Sequence, residues 1–420
     1  MEKKIETPSF TRRGFLKTSA AVSAAAMVAN LGTNFAHAAG SDVIKVGLVG
    51  CGGRGSGAIE QNMEAAKILG IKAEVVACGD VFRGKTKHIQ DKFKLSDDQC
   101  FDGLDNYKKV IDSGIDLLVT ATPPGFRPFH FQYAIEKGKH VFFEKPVAVD
   151  PTGIRMVMAA AEMATEKKLG VVAGTQRRHE TGYGETIKRI HDGAIGEILH
   201  MSVYWCGGGI WWNARKPGMS DVEAQINNWY HYIWLCGDQI VEQHVHNLDV
   251  ACWVLGSHPI SAYGQGGRTV RKEPGQIWDN TAVEYEFPNG ARVLSFGRHW
   301  PGDGNVSEFA IGTKGTSDPS NWIKPTGGQR QKFENTVNGY LQEHIDLYKS
   351  IRDGKPLNEA KQVAESTMMA IMGRMSCYTG KKISWDFAMK SKLDTMPKNL
   401  DLKGALSEGE VPLPGKEPLI

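Results

Sequence analysis

The run Val43-Ile44-Lys45-Val46-Gly47-Leu48-Val49-Gly50-Cys51-Gly52-Gly53-Arg54-Gly55 decides how the rest of the chain is read. An apolar stretch of strand length feeds directly into a G-x-G-x-x-G turn, the pattern that seats a dinucleotide pyrophosphate on a helix N-terminus. Each glycine has a mechanical reason. Gly50 permits the tight turn, Gly52 lets backbone approach the phosphates, and Gly55 allows close helix–strand packing. The free N–H groups of Gly53 and Arg54 complete the expected cradle. Asp80 follows 25 residues past Gly55, at the end of the next apolar stretch. A carboxylate there holds the ribose hydroxyls of NAD and repels the 2′-phosphate of NADP. Arg83 keeps NADP open as the lesser option, and an ordinary surface turn is the bland alternative for Asp80.

Working outward, strands and helices alternate. Residues 43–49, 73–78, 117–121, 140–143 and 170–174 read as strands, and 61–69, 131–137 and 153–167 as helices. This order predicts an α/β fold, with a doubly wound parallel Rossmann sheet over 42–175. Two further motifs fall at strand ends, where an open α/β sheet places its ligands. One is Thr122-Pro123-Pro124; the other is Gly138-Lys139-His140-Val141-Phe142-Phe143-Glu144-Lys145-Pro146. Later, Glu242-Gln243-His244-Val245-His246-Asn247-Leu248-Asp249 sets a carboxylate and an imidazole one helical turn apart. The run Pro288-Asn289-Gly290 predicts a hairpin between 282–287 and 291–296. Residues 338–352 and 359–378 read as helices.

On these motifs the chain resembles the glucose–fructose oxidoreductase, inositol dehydrogenase and MocA (Gfo/Idh/MocA) family, from about 43 to 386. The resemblance implies a second α/β domain over 176–386 with a large, mostly antiparallel open sheet, and an extended tail over 387–420. It implies hydride transfer between NAD and a hydroxyl carbon of a sugar, sugar derivative or polyol, and the export signal over 1–38 adds that this NAD is tightly bound. It also implies a homo-oligomer, a dimer or tetramer. The cofactor contacts fall on Gly50, Gly52, Gly53, Arg54, Gly55, Asp80, Thr122, Pro123, Glu144 and Lys145. The catalytic lysine falls on Lys145, whose ammonium favours the alkoxide of the reacting hydroxyl. His246 is the candidate base, of a residue type whose pKa suits reversible transfer near neutrality. Glu242 orients that imidazole or binds a sugar hydroxyl.

Three positions depart from the family pattern. Relatives usually carry aspartate where Glu242 stands and glycine where His244 stands, which leaves the division of roles among Glu242, His244 and His246 open. Arg127 stands where histidine is frequent. Substrate contacts are expected from His244, from Arg177 and His179 at the junction of the two halves, and from Trp211 and Trp212. These tryptophans belong to an aromatic window at 204–234 that holds half of the ten tryptophans. Flat aromatic faces suit the C–H surface of a sugar, with core packing as the alternative. No metal is expected, because His244 and His246 diverge at an i,i+2 spacing on a helix.

The first residues carry a different message. Thr11-Arg12-Arg13-Gly14-Phe15-Leu16-Lys17 fits a twin-arginine export signal, with a weakly apolar stretch and Ala36-His37-Ala38 as cleavage site. The signal over 1–38 implies twin-arginine export, to the periplasm in a Gram-negative cell. Its five cations (Lys3, Lys4, Arg12, Arg13, Lys17) against Glu2 and Glu6 carry the whole formal charge of +3. The remainder is near neutral and holds no polybasic run, which argues against nucleic acid as a partner. No later stretch reaches the roughly 18 apolar residues of a membrane span. The seven cysteines form no C-x-x-C pair and read as buried or free thiols. The alternative function is a redox-neutral NAD-dependent glycoside hydrolase or lyase, working by transient oxidation and elimination. Such relatives usually lack the lysine found at 145.

Overall fold

The computed structural model describes residues 43–419. The export-signal reading falls on residues 1–38, outside the described residues. From Val43 onward the chain builds two sheets. The first contains β1 (Val43–Val49), β2 (Lys72–Gly79), β3 (Cys100–Phe101), β4 (Leu117–Thr120), β5 (His140–Phe143) and β6 (Val171–Ala173), in the order β3-β2-β1-β4-β5-β6. Its strands are parallel and apolar on both faces; β4 and β6 are buried at every position. Such strands need a cover on each side. Helices Gly53–Ile68, Arg127–Glu136 and Pro151–Glu166 are among those that provide it. Strand order reverses between β1 and β4, and at that switch point a doubly wound sheet opens a crevice.

The helix expected at 61–69 begins at Gly53, because the glycine turn itself supplies its first residues. The helix expected at 131–137 begins at Arg127, with Pro128 in its first turn, where a missing N–H is tolerated. The edge strand β3 has two residues, too few for a periodic signal.

The second sheet joins β7 (Ile198–Gly207), β8 (Ser261–Gly267), β9 (Asn280–Glu286), β10 (Arg292–His299), β11 (Asn305–Gly312), β12 (Gly315–Asp318), β13 (Trp322–Pro325), β14 (Gln331–Lys332) and β15 (Ile383–Ser384). The order is β14-β13-β12-β11-β7-β10-β9-β8-β15. Neighbours run antiparallel except β7 and β10. The expected hairpin joins β9 to β10, with Gly290 at φ +84°. Burial alternates along β10, the mark of a sheet covered on one face. Helices Val245–Leu255 and Ala360–Thr379 pack against the sheet, while Tyr263, Phe296, Val306, Phe309 and Ile311 remain exposed.

One hydrophobic core runs through both parts. Phe131, Val141 and Phe143 join Met201, Val283 and Tyr285, and each such side chain contributes about 1.5–3 kcal/mol by leaving water. The expected tail over 387–420 starts later than the sequence suggests, because Trp385–Lys390 is helical. Beyond it the chain wraps its own surface. Trp278 Nε1 donates to Pro412 O at 2.9 Å, and Ser220 Oγ to Leu402 O at 2.6 Å. Among the described residues no helix is long and apolar enough to cross a membrane.

Candidate active site

The glycine turn is closed on its protein side and open on the other. Gly50 takes φ +91°, and its N–H donates to Gly79 O at 2.8 Å. A Cβ at Gly55 would lie 1.8 Å from Gly50 O, whereas one at Gly52 or Gly53 would meet nothing within 4 Å. No side chain caps the N-terminus of the Gly53–Ile68 helix, so its first amides face that open space. Asp80 is locked beside the turn: Oδ2 accepts from Cys51 N at 2.9 Å and Oδ1 from Phe82 N at 3.0 Å. Arg83 turns away, with Nη2 3.2 Å from Asp97 Oδ1 and Nη1 donating to Cys100 O. Open amides, a helix N-terminus and a fixed carboxylate fit a dinucleotide without a 2′-phosphate.

Next to the turn lies a cavity of about 490 Å³. Arg54 and Glu144 form its near wall, joined Nε to Oε1 at 2.5 Å. Behind them Glu343 is fully buried, with Oε1 3.7 Å from Arg54 Nη2. Burial, with the nearby Glu144 charge, pushes its pKa well above the usual carboxylate range. Nothing local in the sequence marks Glu343.

Lys145 lies two residues past the end of β5 and reaches across the cavity to the second half. Its Nζ donates to Glu242 O at 2.6 Å and lies 3.2 Å from Glu242 Oε1. An ammonium has three protons, so one N–H is left for a ligand. Glu242 Oε2 has no hydrogen-bond partner and is equally available. His246 lines the same cavity and stacks on Trp205, with ring centroids 5.7 Å apart. Burial, then the charges of Lys145 and Arg177, hold the imidazole well below its ordinary pKa. It is therefore neutral near neutral pH, rather than titrating there as its residue type suggests.

Glu242 and His246 do not share a helix face as the spacing predicts. Glu242 ends the helix Gln239–Glu242 and His246 lies at the start of Val245–Leu255, with a break between. Both nonetheless border the cavity, and Glu242 pairs with Lys145.

Several candidates lie elsewhere. His244 is fully buried, its Nε2 2.7 Å from Ser295 Oγ, and burial pushes its pKa down to about 3. Arg177 is paired with Glu308, and His179 Nδ1 lies 2.8 Å from Asp346 Oδ2. These two side chains knit the junction together and do not line the cavity. Trp211 lines it, but Trp212 packs edge-on against His231 at 4.8 Å. Thr122 turns toward His130, Oγ1 to Nδ1 3.3 Å, and Pro123 leads into the short turn Pro124–Phe126.

Trp205, Trp229, Tyr230, His299 and Tyr340 line the cavity although no role was expected of them individually. The first three belong to the aromatic window; His299 and Tyr340 are distant in sequence and carry no local signal. Arg127 also lines it, with Nη1 donating to Pro146 O at 2.6 Å and burial pushing its pKa down to about 10. Among the described residues no group of three or more His, Cys, Asp or Glu could hold a metal ion.

Two family models match the chain. Residues 44–173 match the oxidoreductase family with NAD-binding Rossmann fold, and residues 183–317 match the GFO/IDH/MocA C-terminal domain, together more than half of the sequence. The chain belongs to the GFO/IDH/MocA family. It carries an NAD-binding Rossmann domain followed by that family's C-terminal domain. Among curated proteins it is 25% identical over 251 residues to scyllo-inositol 2-dehydrogenase (NAD(+)) of Bacillus subtilis. That match covers 58% of this chain and spans 65% of the relative's own length. An aldose–aldose oxidoreductase from Caulobacter crescentus, complexed with glycerol, superposes with a TM-score of 0.64 at 16% identity, covering 81% of this chain and 99% of that one. The WlbA dehydrogenase from Bordetella pertussis, in complex with NADH and UDP-GlcNAcA, gives 0.61 at 19% identity, over 81% and 98%. These likenesses carry the fold: a six-stranded parallel sheet and a nine-stranded, mostly antiparallel one, as the sequence predicts.

Proposed function

We propose that the protein is an NAD-dependent oxidoreductase acting on a hydroxyl carbon of a sugar, sugar derivative or polyol. The observation that carries this reading is the convergence of Lys145, Glu242 and His246 on one cavity beside the open glycine turn. NAD, when bound, supplies the hydride acceptor or donor. The remaining Lys145 N–H donates to the reacting hydroxyl oxygen and favours its alkoxide, an effect of preorganised charge in a site sheltered from water. Neutral His246 takes the hydroxyl proton on oxidation and returns it on reduction. Glu242 holds the ammonium in place, and its free Oε2 accepts from a neighbouring hydroxyl. Trp211 and Trp229 offer flat faces to the C–H side of the ring.

The names of the inositol dehydrogenase relative and of neighbours holding glycerol or a sugar nucleotide support a polyhydroxylated substrate. Purified protein mixed with NAD and a panel of sugars and polyols should reduce the cofactor with at least one of them, read by absorbance. Release of an aglycone with no absorbance change at any stage would overturn this reading in favour of elimination chemistry.

The same reading includes export by the twin-arginine route, supported by Thr11–Lys17 and the Ala36-His37-Ala38 site. Cell fractionation with Arg12 and Arg13 both changed to Lys tests it; unchanged distribution sinks it. An exported enzyme meets no cofactor pool. A Kd of about 1 nM with an on-rate near 10⁶ M⁻¹s⁻¹ releases ligand in roughly a quarter of an hour. Tight retention and recycling within the site follow. Homo-oligomerisation belongs to the same proposal, supported by the exposed Tyr263, Val306, Phe309 and Ile311; sedimentation as a monomer would refute it.

A further inference from the structure

Three thiols that this chemistry does not use crowd the ends of β1, β2 and β3, beside the glycine turn. Cys51, Cys78 and Cys100 are all buried and unbridged. Cys78 and Cys100 are register partners in the parallel ladder, and their sulfurs lie 3.6 Å apart. Neighbouring strands stand about 4.8 Å apart, inside the Cα separation of roughly 4.4–6.8 Å that a disulfide spans. Cys51 points its thiol at Gly79 O, 3.5 Å away, and its sulfur also stands beside Cys78. Strand β3 has only two residues and forms the edge of its sheet. A short peripheral element of this kind opens locally well before the core does, which gives a small reagent access. The same strand backs the candidate ribose site. Asp80 N donates to Phe101 O at 3.2 Å, one residue past Cys100.

We propose that Cys78 and Cys100 form a reversible disulfide that fastens the edge strand behind Asp80 and slows departure of the dinucleotide. The linkage stands independently of the proposed function; the slowed departure rests on it.

The oxidant is a hydroperoxide, small enough to reach the pair through local opening. The Cys78 thiolate attacks one peroxide oxygen and the O–O bond breaks. This leaves a sulfenic acid on Cys78 and a hydroxide that takes up the thiol's proton as water. The Cys100 sulfur then attacks the Cys78 sulfur, the S–O bond breaks, and a second water leaves with the Cys100 proton. Two thiols lose two electrons, and one peroxide becomes two waters. The order of attack follows from the surroundings. Cys51, then Cys100 and Arg83, pull the Cys78 thiol below its usual range against the opposing effect of burial, while burial and the Cys78 charge push Cys100 up to about 12.

The test treats the whole protein with hydrogen peroxide, blocks remaining thiols and maps the digested peptides by mass. A peptide pair joined through Cys78 and Cys100, two hydrogens lighter and released by dithiothreitol, is expected. A Cys51 linkage, or none, would overturn the site. Dissociation of NAD should be several-fold slower from oxidised than from reduced protein. In peroxide-treated Cys100→Ser and Cys78→Ala, with folding checked by thermal melting, it should stay at the reduced rate. A 78–100 linkage with unchanged dissociation overturns the fastening. Failure of the reduced protein to bind NAD at all would fail the proposed function instead, and the peptide map would still decide the linkage.

Discussion

The six-stranded sheet presents its chemistry at strand ends, whereas the nine-stranded part presents its chemistry from short helices laid over a covered sheet face. Gly50–Gly55, Asp80 and Glu144-Lys145 follow β1, β2 and β5, so position along a strand dictates where each side chain goes. Glu242 and His246 occupy two helices separated by a break, and only packing against β7 and β10 brings them to the cavity. The first arrangement is written in local spacing. The second depends on long-range contacts, and substitutions should reveal that asymmetry.

The largest effect is expected at Gly55. A Cβ there would sit 1.8 Å from Gly50 O, so Gly55→Ala should cost more than about 4 kcal/mol in thermal or denaturant unfolding, beyond the usual range for one substitution. Gly52→Ala has open space around its Cβ and should melt like the wild type while losing NAD affinity in titration calorimetry. If both variants unfold alike, the turn is structural only, and the contrast between the two halves collapses.

Lys145→Met should lower kcat/KM by roughly 10²–10³-fold, the span typical of removing one preorganised donor to a developing oxyanion. NAD affinity should change little, which separates the junction from the cradle. The variant also leaves Glu242 buried without its cation, a loss of about 3–5 kcal/mol where a buried pair is broken. Its melting temperature should therefore fall as well.

His246→Asn should cost about 10²-fold in kcat with NAD binding intact. The wild-type pH profile sharpens this. The base works when neutral, and burial lowers its pKa, so the neutral form persists below the ordinary histidine value of 6.5. Activity should stay level through pH 6.5 and fall only at lower pH. An acid limb centred at or above that value would show that another group carries the proton.

The smallest effect is expected at Asp80→Asn. Cys51 N and Phe82 N donate to different oxygens of Asp80, so the amide keeps an acceptor for only one of them, and NAD should weaken by about tenfold, near 1.4 kcal/mol. The discrimination against NADP, measured by paired titrations, should shrink with it.

Much of the first sheet was legible because period and punctuation agree there: apolar strands, a glycine turn, a carboxylate at the next strand end. Even so, the periodic span 61–69 stops short of the helix N-terminus that the glycine turn itself implies, and the start at Arg127 carries no signal, since glycine and proline look like loop residues until the fold uses them in a first turn. In the second half, spacing alone placed Glu242 and His246 on one face, and the break at Gln243 disproves that. Arg177, His179 and His244 have the right chemistry for a pocket but the wrong neighbours. Glu308, Asp346 and Ser295 claim them from far along the chain. His299 and Tyr340 reach the cavity from β10 and from the Gly339–Arg352 helix, so no local window in the sequence contains them.

The wrap of the C-terminal residues bears on how the molecule responds to digestion. Residues 402–407 hold the helix Asp221–Asn227 through Ser220, Glu223 and Gln225, and that helix leads directly into Trp229 and Tyr230 of the cavity wall. A protease that clips the chain near residue 400 thus cuts a support of the aromatic wall from outside, without touching the nucleotide side. Nicked molecules should keep their grip on the dinucleotide and lose first whatever selectivity the aromatic wall confers.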